Sequence, residues 1–204
     1  SAAKDLSLNA GETVENIGGK LEAGKDLTLT AQNDIKNISA QIKADNVELT
    51  SKDGSIQNER FSKAALYSGT RFTNDTTLVG EGSSIQANNF LTLDSKQSIT
   101  IQGSDLRAKA IDLEANSVDI TTTADQNDLF VGDGSNYQIA KSTQHLSSNL
   151  NADTININAV ETVTIEGSDL TVNDNLKIQA KKIDVLAVNN STYKETKQTK
   201  KGTF

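Results

Sequence analysis

One phrase recurs along the chain every 20 or 21 residues: KLEAGKDLTLTA, QIKADNVELTS, SIQANNFLTLDS, DLRAKAIDLEA, NLNADTININA and DLTVNDNLKIQA. A repeat this short cannot enclose a core alone, so its apolar positions must be buried by neighbouring copies stacked as a solenoid. Each copy opens on one apolar residue (Leu21, Ile42, Ile85, Leu106, Leu150, Leu170). Two places on comes a small residue (Ala23, Ala44, Ala87, Ala108, Ala152) or Val172, and then an alternating apolar pair. These pairs are Leu27 and Leu29, Val47 and Leu49, Leu91 and Leu93, Ile111 and Leu113, Ile155 and Ile157, and Leu176 and Ile178.

Period-two alternation predicts strands with one buried face, and the intervening Gly, Asn and Asp residues predict turns. A third strand is expected at Val14 and Ile17, Ile35 and Ile38, Ile56, Ile99 and Ile101, Val118 and Ile120, Val163 and Ile165, and Ile183 and Val185. The expected fold is therefore all-β: a parallel β-helix with three short strands per coil, each coil hydrogen-bonded to the next. Asn16, Asn37 and Asn58 recur at intervals of 21, which predicts a ladder of mutually bonded amides stacked in one turn.

Composition excludes several functions. The 204 residues contain no Cys, Met, Pro or Trp, which removes disulfides and thiolate metal sites and suits an exported chain that must pass a membrane unfolded. The missing Met also predicts a piece excised from a longer protein. No apolar stretch reaches membrane length. A net charge of −7 and a pI near 4.8 argue against nucleic acid or an anionic membrane as a partner.

The repeat is interrupted at residues 59–82 and 121–149, and a polar tail occupies 189–204. Because the phrase resumes after each interruption, the chain is expected to be one continuous segment, 1–204, with three excursions built as hairpins or added strands. Phe61, Tyr67, Phe72, Phe130 and Tyr137 lie in the first two excursions. Aromatics on projecting segments are typical contact anchors, which makes these five the candidate contact residues. Cover for an exposed sheet is the competing role. The tail carries Lys194, Lys197, Lys200 and Lys201 with Tyr193 and Phe204.

Catalysis on a β-helix needs carboxylates converging with a base or cation on adjacent coils. Here His145 stands alone, and Glu48 and Asp112 share their position with Thr28, Thr92, Asn156 and Lys177, as a solvated face would. No enzymatic activity, cofactor or catalytic residue is expected; the alternative is a carbohydrate-active β-helix of lyase or hydrolase type. Asp125, Asp128 and Asp133 offer oxygen ligands near GDGSN (132–136), but their spacing matches neither an EF-hand loop nor the nonapeptide calcium repeat, and a hairpin turn explains the glycines better.

The phrases GKLEAGKDLTLTAQNDIKNISAQIKADNVEL and GSSIQANNFLTLDSKQSITIQGSDLRAKAIDLEA resemble the haemagglutinin repeats of filamentous-haemagglutinin-like exoproteins, and the resemblance runs from Lys4 to Phe204. TTLVGEGSSI (76–85), the two GSDL motifs (103–106 and 167–170) and the KKGTF exit are similar to the more C-terminal repeat class of that family. The resemblance implies a right-handed helix in a rod-like segment of a very large protein, secreted or displayed by a Gram-negative bacterium through two-partner secretion. The family includes adhesins, haemolysins and contact-dependent growth inhibition exoproteins. Implied partners are an outer-membrane transporter for the parent protein, and a receptor or glycan on a host cell or neighbouring bacterium.

Overall fold

A computed structural model describes residues 1–199. Among them the chain is all-β, without helix. It begins with strands β1 (Leu6–Ala10), β2 (Val14–Ile17), β3 (Lys20–Glu22), β4 (Asp26–Ala31), β5 (Ile35–Ile38), β6 (Gln41–Ser51) and β7 (Ile56–Glu59). Next come β8 (Ser62–Gly69) and β9 (Phe72–Val79), then β10 (Ser84–Ser95), β11 (Ser98–Gln102), β12 (Asp105–Arg107) and β13 (Ala110–Thr121). After β14 (Thr123–Gly132) and β15 (Tyr137–Leu146) follow β16 (Asn149–Glu166), β17 (Asp169–Gln179), β18 (Lys182–Leu186) and β19 (Ser191–Lys197). The contacts divide the chain into two compact units. The first comprises Ser1–Phe61, Gly80–Thr122 and Ser147–Ala187; Ser62–Val79, Thr123–Leu146 and the chain from Val188 make the second.

Every strand pairing in the first unit is parallel and links equivalent positions of successive repeats. Leu27, Val47, Leu91, Ile111, Ile155 and Leu176 form one unbroken row, each the register partner of the next. The two central interruptions leave this order intact: Ile42 pairs directly with Ile85, and Leu106 with Leu150. The inward rows are almost free of solvent, with Leu29, Leu49, Ile85, Leu93, Ile99, Val118 and Ile155 all 0% exposed. Burial of each such side chain contributes roughly 1.5–3 kcal/mol, so the core grows rung by rung.

Four details depart from the sequence reading. Ile17 and Ile38 do not enter the core: Val14 and Ile35 point inward, and alternation places Asn16 and Asn37 inward two residues later, leaving Ile17 63% exposed. The asparagine ladder therefore lies inside strands β2, β5 and β7 rather than in a turn. Asn16 Nδ2 donates to Asn37 Oδ1, and Asn37 Nδ2 to Asn58 Oδ1, each at 2.8 Å. Separate short strands also merge; β16 runs for 18 residues through all three segments of its rung. Finally, Ile99 pairs with Val118, a spacing of 19 (118 − 99), so the slack between rungs is wider than 20 or 21.

A second polar ladder lies at one corner. Ala40 N–H donates to Ser83 Oγ, Ser83 N–H to Ser104 Oγ, Ser104 N–H to Ser148 Oγ and Ser148 N–H to Ser168 Oγ, at 3.1–3.3 Å. The hydroxyls in turn donate to carbonyls, as Ser148 Oγ does to Thr121 O at 2.7 Å. Buried backbone donors at a bend need such partners, which is the physical meaning of the serine in GSDL.

Candidate contact surface

The three excursions share one fate. Their strands make a single five-stranded antiparallel sheet in the order β19-β15-β14-β9-β8. Two hairpins supply its centre, β8–β9 and β14–β15, joined by the β9–β14 pairing; β19 from the tail adds to β15. The β14–β15 turn is the GDGSN segment. Asp133 Oδ1 accepts from the N–H groups of Ser135 and Asn136, each at 2.9 Å, and these two bonds hold its carboxyl below the ordinary range. Gly132 has φ +132°, and a Cβ there would stand 2.2 Å from Asn136 O, so only glycine fits. Asp128 lies 3.4 Å from Lys141 Nζ. Among the described residues no three acids or histidines gather as a metal site.

Register assigns the side chains to two faces, since residues directly opposite in an antiparallel pair share a face. One row reads Ser68, Thr73, Phe130, Ile139, Glu195, and the row two residues on reads Leu66, Asp75, Asp128, Lys141, Tyr193. On this face Tyr137 Oη donates to Glu195 Oε1 at 2.6 Å and Tyr193 Oη to Oε2 at 2.5 Å. The two phenol bonds, that of Tyr137 foremost, lower the Glu195 pKa, and the same bonds raise both tyrosines. Lys197 Nζ lies 5.8 Å from the Tyr137 ring centroid, and Phe130 packs on that ring at 6.1 Å.

The opposite face carries Tyr67, Asn74, Leu129, Ala140 and Lys194 in one row, and Phe72 and Val131 in the next. Tyr67, Phe72, Leu78 and Val131 are between 39% and 50% exposed. The five candidate aromatics consequently do not form one surface. Tyr67 and Phe72 share a face, and Phe130 and Tyr137 lie on the other. Phe61 belongs to the first unit, its N–H donating to Ser39 Oγ at 3.0 Å.

The strand formed by the polar tail supplies Tyr193, Glu195 and Lys197, residues outside the five candidate aromatics. Their signal was the period-two spacing in TYKETK. Lys200, Lys201 and Phe204 lie outside the described residues. His145 is half-buried in β15, and its backbone N–H donates to Asn190 Oδ1 at 2.7 Å.

On the first unit, outward acids are bonded to amides of the adjoining rung: Asp26 to Asn46, Asp45 to Asn88, Asp105 to Asn149 and Asp112 to Asn156, at 2.6–2.8 Å. Alternating Asp with Asn avoids stacking like charges. Asp94 and Glu114 depart from that pattern, since the two carboxylates are direct register partners. They line a shallow groove of about 630 Å³ that also has Lys52 and Lys96 at its wall.

A family model described as the hemagglutinin repeat matches residues 67–130, which run from the first hairpin through two rungs into the second. No curated protein and no solved structure matches the chain.

Proposed function

Because the chain carries a filamentous-haemagglutinin-like repeat segment, we propose that it is a non-catalytic shaft that also displays a contact surface, within a large protein secreted or held at the surface of a Gram-negative bacterium. The shaft is read as a right-handed parallel β-helix. Support for the coil comes from the parallel, in-register rows, and the hand follows the family resemblance. Export by two-partner secretion and a role in adhesion or toxin delivery rest on the same resemblance. Partners are then the outer-membrane transporter of the parent protein and a receptor or glycan on another cell.

The observation that carries this reading is the division of labour along the chain. The repeats place their inward residues in one continuous core, and the interruptions form a sheet on which Leu66, Tyr67, Phe72, Leu78, Val131 and Tyr193 stay exposed. Binding of the chain to host or bacterial cells should fall at least ten-fold when 62–79 and 123–146 are each replaced by a short Gly/Ser linker. Unchanged binding in that variant, with its β-type circular dichroism retained, overturns the contact surface.

For the alternative, a carbohydrate-active enzyme, the candidate acids are Asp94 and Glu114, which line one groove with Lys52 and Lys96. Release of unsaturated or reducing ends from acidic polysaccharides, abolished by Asp94→Asn or Glu114→Gln, would establish it in place of the shaft. The expected result is no release.

A further inference from the structure

The five-stranded sheet ends on two edge strands of different character. β19 carries Lys194, Glu195 and Lys197 within seven residues, the kind of charge that discourages strand addition. β8, SKAALYSG, has Lys63 as its one charge, and all its residues but Ala65 are exposed. An edge of this length and apolarity is a template for another strand.

The pairing pattern tells which groups of β8 are available. Gly80 N–H donates to Phe61 O at 2.9 Å, and the β8–β9 register continues from that bond. Antiparallel pairs alternate between bonded and non-bonded, so Lys63, Ala65, Tyr67 and Gly69 bond toward β9. Ser62, Ala64, Leu66 and Ser68 turn their N–H and C=O outward.

We propose that β8 pairs with β8 of a second copy of this chain, antiparallel about a two-fold axis through Ala65 and normal to the sheet. Such an axis keeps face on face, so it must pass through a residue rather than between two. Centred on Ala65, it sets Ala64 opposite Leu66 of the second copy and Ser62 opposite Ser68, each arrangement made twice. All four outward-turned residues then exchange both backbone bonds. Lys63 comes opposite Tyr67, an ammonium beside a ring instead of beside its own copy. Centred one residue later, on Leu66, the axis leaves Ser62 beyond the paired stretch and Lys63 opposite Gly69. β8 is thus self-complementary in one register, which favours a second copy over an unrelated peptide as its occupant.

The absence of cysteine makes a clean test possible. In the paired dimer Ala65 faces itself in a non-bonded pair with Cα atoms about 4.5 Å apart, inside the roughly 4.4–6.8 Å that a disulfide spans. Ser68 lies about 20 Å from its own copy, six residues along the strand. Mild oxidation of Ala65→Cys should give a covalent dimer at least ten-fold faster than Ser68→Cys or, on the other edge, Thr192→Cys. Sedimentation equilibrium over a concentration series should show a dimer for the unaltered chain. Ala65→Lys, which sets two ammoniums face to face, should be monomeric with an unchanged circular dichroism spectrum. A chain that is monomeric throughout the series, cross-linking that is equal at the three cysteines, or a dimer that survives Ala65→Lys overturns the proposal.

Discussion

Asn37 is fully enclosed, accepting from Asn16 Nδ2 and donating through Nδ2 to Asn58 Oδ1 and, at 3.1 Å, to Ala40 O. Removing it leaves a buried donor and a buried acceptor without partners, each costing about 1–3 kcal/mol. Asn37→Ala should accordingly lower the stability read from urea unfolding by about 2–4 kcal/mol. Replacing Asn16, Asn37 and Asn58 together by Ile, which continues into the Ile101 and Ile120 row, should cost less than that single change. Glu59 behaves differently, because it stands in the row of Ile38 where the chain leaves the ladder, and burial raises its pKa against the opposing pull of Lys36. A raised carboxyl favours protonation in the folded state. Its contribution is fully present below the ordinary value of 4.5 and is lost as pH rises through the folded pKa. Glu59→Gln is expected to raise the melting temperature at pH 7 and to leave it unchanged near pH 3.

Solvent reaches the last rung, and that changes what the same residue type contributes. Val163 and Val185 lie in adjoining rungs of the first unit, yet Val163 is 0% exposed and Val185 73%. Val163→Ala should cost about 1–3 kcal/mol, and Val185→Ala no more than about 0.5 kcal/mol. Hydrogen exchange should be faster in β17 and β18 than in β16, since Leu176, Ile183 and Val185 are largely exposed where Ile155 and Val163 are enclosed. In the other unit, Gly132→Ala forces a Cβ against Asn136 O and Tyr137. Faster amide exchange through β14 and β15, with protection in β4 and β6 retained, is the expected outcome.

At the scale of the molecule, a core built from equivalent rungs should accept another rung of the correct length. Tandem duplication of residues 20–40, one 21-residue spacing of the asparagine ladder, preserves every row and should raise the urea midpoint. Duplication of only 20–36 shifts the rows out of phase and should lower it. The far-ultraviolet circular dichroism of both the parent and the longer chain should lack helical minima. The Asn and Ser ladders make the register specific, because a slip separates buried amides and hydroxyls from their partners.

Repetition is why so much of the architecture was legible. The apolar rows, the parallel pairing of Leu27 with Val47 and the resumption of the ladder after each interruption all follow from spacing, since neighbours in the stack are neighbours in the repeat. The ladder of Asn16, Asn37 and Asn58 was visible as an interval, but its place in the strands was not; an asparagine in an apolar strand competes with the adjacent isoleucine for the inward position, and packing chose the amide over Ile17. The serine corner is visible in the sequence only as the GSDL motif, because the backbone donors it caps lie on other rungs. Aromatic content located the interruptions but not the faces, because whether Tyr67 and Tyr137 share one depends on the β9–β14 register, which joins residues more than 50 apart. Sequence alone determined the parallel apolar rows, which are local and repeated. Only the tertiary structure decided that three separated segments form one sheet with unlike edges, because pairing between non-repeated strands is set by long-range register rather than by any period in the chain.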